Sequence, residues 1–163
     1  MNKAVLAAIL ILVIGAASFA VYIYVNKSGT LGPEASNSLL NSRFSVSNLT
    51  EHSVNGISTY SVYIANTPSQ QEEGYMNVST TGNCDNRGTC LGMVFVFKNY
   101  TNQCFWMKNT AIALRQTWIN QSGYPVYSYV GKPFSLQPIC SYGKYVIETM
   151  PNASINGYIT LNG

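Results

Sequence analysis

The chain has 163 residues, of which only 9% are charged and 47% hydrophobic, and its formal net charge is +3. A typical domain carries about a quarter charged residues, so this surface must be built largely from Ser, Asn, Thr and Tyr. A charge this small and scattered excludes a basic stripe for nucleic acid, and the length suits one domain with an appendage.

Met1-Asn2-Lys3 is a short basic start. Ala4 to Val25 then runs 22 residues without a charge, a proline or an amide. As a helix this run would span about 33 Å, enough for the bilayer core, whereas the apolar part of a cleaved signal is about 7–15 residues. Tyr22 and Tyr24 suit an interfacial belt, and Lys27 follows. The expectation is a membrane anchor over 1–26 that uses residues 4–25 to contact lipid. A basic start, an apolar helix and a β-rich body also describe a pilin-like filament subunit, so that alternative stays open. Residues 27–42, rich in Ser, Gly and Asn with Pro33, read as a flexible tether. The domain proper is expected over 43–163.

Phe44 and Val46 alternate with polar residues, as in a half-buried strand. Asn55-Gly56 between Val54 and Ile57 is a hairpin signal, and Tyr60, Val62 and Ile64 mark the return strand. Thr67-Pro68-Ser69-Gln70 carries a capping box with proline in the first helical turn, so a short helix is expected, ending near Asn77. Residues 79–92 form a polar loop. Met93 to Phe97 is a continuous apolar run fit for a central strand, and Lys98 to Gln103 reads as a turn. Ile112 to Ile119, Tyr124 to Val130, Tyr145 to Thr149 and Tyr158 to Leu161 read as strands. Lys132 to Tyr142 reads as a loop, and Asn152 as the cap of one helical turn ending at Gly157. The pattern is mostly β with one or two short helices, an α+β domain resembling a small barrel or sandwich of about seven strands.

Cys84, Cys90, Cys104 and Cys140 contain no CxxC pair, and the lone histidine, His52, is distant in sequence. Four scattered thiolates can still ligate zinc, but outside the cytoplasm disulfides are favoured. The expected pairs are Cys84–Cys90, closing a local ring, and Cys104–Cys140, pinning the Pro-rich loop beside Phe105. Asn26, Asn48, Asn77, Asn99, Asn120 and Asn152 each begin an Asn-x-Ser/Thr sequon, which supports an extracytoplasmic side.

Phe105-Trp106-Met107-Lys108-Asn109-Thr110 is the most unusual stretch. Preceded by Gly92-Met93-Val94-Phe95-Val96-Phe97, it resembles the signature of the domain-of-unknown-function family 192. Ala65-Asn66-Thr67-Pro68 with Glu73-Gly74-Tyr75-Met76, Tyr145-Val146-Ile147-Glu148, and Asn152 to Gly157 are similar to further segments of that family in the same order. The resemblance implies a compact, mostly β domain, often behind a signal or anchor, and no established activity. Arg115 and Asn120 stand where relatives commonly carry acidic residues, which removes any acid–base or metal role those acids would have there.

No nucleotide-binding loop, HExxH or Gly-x-Ser-x-Gly element is present, and no cofactor or metal site is expected. Glu148 is alone among the carboxylates in lying within an apolar strand, so a paired-carboxylate site lacks a second member. Trp106, Lys108, Asn109 and Glu148 are the candidate binding residues. Lys108 lies among residues that a strand would bury, which predicts an ion pair with Glu148; Trp106 would wall a shallow recess. The functional expectation is a non-catalytic, membrane-tethered outer domain that binds a membrane protein or an envelope polymer. The alternative is an envelope-acting enzyme using Lys108, Asn109 and Glu148.

Overall fold

The computed structural model describes residues 30–84 and 90–162. The apolar run 4–25 and the Asn26 sequon lie outside the described residues. Among those described, no helix is long and apolar enough to cross a membrane.

The elements in order are α1 (Pro33–Arg43), β1 (Ser45–Ser53), β2 (Gly56–Ala65), α2 (Pro68–Glu73), β3 (Gly92–Phe105), β4 (Leu114–Ile119), β5 (Pro125–Gly131), β6 (Ile139–Thr149) and β7 (Tyr158–Asn162). The strands form one seven-stranded sheet in the order β5-β4-β6-β3-β2-β1-β7. Only β2 and β3 pair in parallel, with α2 in the crossover between them. The expected count of seven strands is met among the described residues, but the sheet is not closed into a barrel and no second sheet faces it among them. It curls instead. Ile119 of β4 and Ile159 of β7, far apart in the strand order, share one cluster with Leu49, Val62, Ile64, Val94 and Ile147. The Ile159 amide donates to the Gly123 carbonyl at 2.9 Å, linking the two ends.

Alternation sorts the side chains between two cores. Val62, Val94 and Ile147 face the cluster inside the curl. Their neighbours Tyr63, Met93, Phe95 and Val146 face a second cluster with Leu40, Phe44, Tyr75, Met107 and Trp118. Glu148, two residues beyond Val146, falls on this second face.

The expected tether does not extend through 42. Proline in the first turn, Glu34 near the start and Arg43 near the end suit helix α1. Leu40 and Ser36 are buried, so α1 packs on the domain rather than trailing from it. The capping box on α2 forms as expected: the Thr67 side chain accepts from the Gln70 amide, and Gln70 reaches back. That helix stops earlier, at Glu73, because Gly74 takes φ +44 and breaks the spiral.

Two segments expected as loops are strand. Lys98 to Gln103 continues β3, with a register shift between Val96 and Thr101. The Lys144 ammonium donates to the carbonyls of Phe97 (2.7 Å) and Lys98 (2.9 Å) at this shift. Residues 139–142 begin β6, where Cys140 pairs directly opposite Cys104. The expected helical turn after Asn152 is absent. There the buried Glu51 carboxylate accepts from the amides of Asn156 (2.7 Å) and Gly157 (3.0 Å), holding an irregular loop. Gly92 starts β3 because a Cβ there would lie 1.9 Å from the Glu148 carbonyl oxygen.

Both disulfides form as expected, Cys84–Cys90 and Cys104–Cys140. They span 6 and 36 residues of sequence. Chain entropy therefore makes the second worth about 4 kcal/mol and the first about 2. Chemical denaturation of Cys104→Ala/Cys140→Ala and Cys84→Ala/Cys90→Ala should show the larger loss in the former; equal losses would contradict this account.

Candidate functional site

The signature stretch is the end of β3 followed by a tight turn. Thr110 closes it, its amide donating to the Met107 carbonyl at 3.1 Å and its hydroxyl to the Lys108 carbonyl at 3.2 Å. Asn109 takes φ +55, a left-handed conformation that Asn tolerates better than most residues. The turn is tied to its surroundings largely through backbone, with the Met107 side chain buried in the core. Asn77 donates to the Asn109 carbonyl, Phe134 to that of Thr110, and the Met107 amide to Ser135. The sequence stretch thus buries Met107 and Thr110 and turns Trp106, Lys108 and Asn109 outward.

Lys108 and Glu148 do not pair. Lys108 is exposed, and its ammonium lies 4.9 Å from the centre of the Trp106 ring. The expectation failed because alternation with Phe105 and Met107 inward puts Lys108 outward. The chain turns at Met107, so Lys108 reaches water and needs no buried acceptor. Among the described residues the one ion pair is Arg43 with Glu73, joining α1 to α2.

Glu148 is buried, 4% exposed, at the middle of the sheet. Its direct cross-strand partners are Met93 on β3 and Gln116 on β4. The Gln116 amide donates to Oε1 at 2.9 Å and leans on the Met107 sulfur at 3.6 Å. Burial drives the Glu148 carboxyl up to about 7, only partly opposed by the Gln116 hydrogen bond. Tyr75 is also buried, its hydroxyl donating to the Thr81 carbonyl at 3.2 Å. Burial first, then the charges of Glu148 and Tyr63, push its phenol well above the ordinary value.

Glu148 lies at the wall of a recess of about 170 Å³. Phe95, Phe97, Phe105 and Trp106 supply aromatic surface; Tyr75, Met76 and Gly74 supply the opposite side from the segment after α2. Phe105 stands edge-on to Phe95 at 4.8 Å and to Trp118 at 5.8 Å, so this wall is braced from behind. Glu72 and Glu73 stand on the α2 side. A Cβ on Gly74 would lie 3.1 Å from Phe95 Cζ and 3.9 Å from Glu148 Oε2. Glycine therefore leaves space beside that oxygen. Oε2 makes no hydrogen bond to the described residues, and Glu148 lines the recess.

The recess brings together Trp106 and Glu148 of the four expected binding residues; Lys108 and Asn109 do not line it. The sequence reading missed Gln116, the partner of Glu148, and Tyr75. Period-two alternation in β4 would have placed Gln116 inward, between Leu114 and Trp118. Arg115 and Asn120 serve the backbone. Arg115 donates through Nε and Nη2 to the Pro151 carbonyl at 3.1 and 2.7 Å, and Asn120 Oδ1 accepts from the Ser122 and Tyr124 amides. Among the described residues no group of three His, Cys, Asp or Glu is placed to hold a metal. Asn48, Asn77, Asn99 and Asn152 are exposed and Asn120 is half-buried.

A single open sheet with helices on one face and a disulfide-pinned aromatic recess defines a small α+β domain. The chain belongs to the DUF192 family, described as an uncharacterized ACR, which matches residues 50–156. No curated protein matches it. Two solved structures are similar. One is a protein from Sinorhizobium meliloti 1021 provisionally described as a transcription regulator, at TM-score 0.58 and 22% identity over 72% of this chain and 95% of that one. The other is a protein of unknown function from Novosphingobium aromaticivorans DSM 12444, at TM-score 0.61 and 18% identity over 72% and 85%. At these identities the likeness is one of fold.

Two outcomes follow from the site. The Glu148 carboxyl, ordinarily near 4.5, titrates at about 7 in the fold. Below pH 4.5 both states are protonated and nothing is lost. Between these values the unfolded chain has released a proton that the folded chain still holds. Stability therefore falls as pH rises and levels off above about 7, a loss of about 3 kcal/mol. Glu148→Gln should abolish this fall and be the more stable form at pH 8; urea unfolding from pH 4 to 8 measures it, and a wild-type curve rising across that range would refute the assignment. Lys108→Met, by contrast, should cost no more than about 1 kcal/mol, the size of an exposed cation–π contact; a thermal shift of more than several degrees would restore a buried role for Lys108.

Proposed function

We propose that this protein is a membrane-tethered, extracytoplasmic binding domain, a non-catalytic accessory subunit of a membrane or envelope assembly. The observation that carries the binding role is the recess itself. An aromatic wall stands beside a buried carboxyl with one oxygen unused, Glu72 and Glu73 line the same recess, and no group of three metal-ligating side chains accompanies them among the described residues. Aromatic surface with a few placed polar groups is the usual composition of a recognition site. Two disulfides support an oxidising compartment. The uninterrupted run from Ala4 to Val25 supports an anchor that keeps the domain beside the bilayer. The outward-facing sequons Asn48, Asn77, Asn99 and Asn152 are compatible with glycosylation on that side.

The alternative, an envelope-acting enzyme using Lys108, Asn109 and Glu148, would have to work without a Lys108–Glu148 pair, since Lys108 lies over the Trp106 ring. The test is native extraction of the full-length chain in mild detergent beside Trp106→Ala. Trp106 is 44% exposed, so its loss should shift the melting temperature by no more than a few degrees. Recovery of the bound component should fall at least tenfold. Equal recovery by both forms would exclude the recess as the binding site.

A further inference from the structure

The recess has a charge pattern that its aromatic walls do not explain. Glu72, Glu73 and Glu148 all line it, and among the described residues no cationic side chain does. The nearby cations sit at its rim, Arg43 paired with Glu73 and Lys108 over the Trp106 ring, which leaves Glu148 and Glu72 without a cationic partner among the described residues. Glu148 is 96% withdrawn from solvent by its 4% exposure, yet Oε2 receives no hydrogen bond from the described residues. A buried carboxylate left half-satisfied costs free energy that a fitted cation would recover. Gly74 keeps the space beside Oε2 open. The faces and edges of Phe95, Phe97, Phe105 and Trp106 offer an apolar sleeve, and ring faces attract ammonium groups directly.

We propose that the recess is a receptor for a lysine-type side chain of a protein partner, its ammonium on Glu148 Oε2 and its methylene stem along Phe95, Phe97 and Trp106. This rests on the binding role given above and specifies its ligand. The volume of about 170 Å³ admits a side chain of that size but no folded element. A lysine stem is apolar and needs no partners along its length.

Protons compete with the ligand for Glu148. The groups facing that carboxyl are Gln116 from β4, Met93 from β3 and Tyr75 from the segment after α2; Glu72 and the Arg43–Glu73 pair stand further out. Of those in contact, Tyr75 is held protonated by its upward shift, so Glu148 governs the response. With its carboxyl near 7 when empty, affinity should be about tenfold weaker at pH 6 than at pH 8.

The test is titration of the full-length chain in detergent micelles with Nα-acetyl-lysine methylamide, following the Trp106 indole N–H resonance. Nα-acetyl-norleucine methylamide serves as the neutral isostere and glucosamine as the sugar amine. The expected result is saturable shifts with the lysine derivative alone, weakened by acid and lost in Glu148→Gln. That variant keeps an amide for Gln116 and should remain folded, as the dispersed Trp118 indole resonance would report. Equal binding of norleucine, binding that survives Glu148→Gln, a preference for glucosamine, or no shift with the lysine derivative would each overturn the proposal. The failure of the broader reading looks different: there, partner recovery would be indifferent to Trp106→Ala.

Discussion

The pairing of β3 with β6 is the constraint from which the rest of the domain follows. The ladder runs from Gly92 opposite Thr149 to Phe105 opposite Ile139, interrupted once between Val96 and Thr101. At one end Gly92 must lack a side chain because the Glu148 carbonyl occupies that space. Toward the other, Cys104 and Cys140 are locked as direct partners. Fixing both ends sets the register, and register decides which face each side chain takes. A slip of one residue would turn Phe95, Trp118's neighbour Phe105 and Glu148 away from their present core.

That register forces a carboxyl into an apolar layer. Met93 and Gln116 flank Glu148 in the sheet, while Phe95 and Tyr75 enclose it from the side of the helices. Only one of its oxygens is satisfied within the described residues, by Gln116. An apolar residue of similar volume would make a more stable sheet. Retaining an acid there sacrifices folding stability above neutral pH, in the manner of sites where a group is positioned for a ligand rather than for the fold. The supporting shell is correspondingly rigid: Gln116 is itself buried against Met107, and Trp118 behind Phe105 is fixed by its indole N–H on the Gln103 carbonyl at 2.9 Å.

Around this centre, polar side chains do work that regular structure leaves undone. Lys144 satisfies two carbonyls where β3 shifts register, Glu51 holds the loop before β7, and Arg115 clamps Pro151. In a chain with so few charges, most of those resolved in the sheet are tied to backbone rather than to one another. This explains why ion-pair reasoning from sequence misassigned Lys108. It also gives Arg115 a structural role, holding the Pro151 carbonyl.

The sequence by itself determined the elements whose signals are local. Alternation at Tyr60, Val62 and Ile64, the apolar run Met93 to Phe97, and the capping box at Thr67 each report a backbone preference that tertiary contacts reinforce. The cysteine spacings likewise narrowed the disulfides to the pairs that form. Helix α1 was not legible, because its buried face is little more than Leu40 and Ser36, and Ser- and Asn-rich sequence reads as linker. Nor was the polar half of β3, since Lys98 to Asn102 face solvent and the ladder resumes only through distant partners, Thr101 opposite Gly143 and Asn102 opposite Tyr142. The curl of one open sheet and the opening of Glu148 toward a recess were decided only by tertiary structure. Both depend on which strands become neighbours, and a period-two pattern specifies the face of a side chain without specifying what stands opposite it.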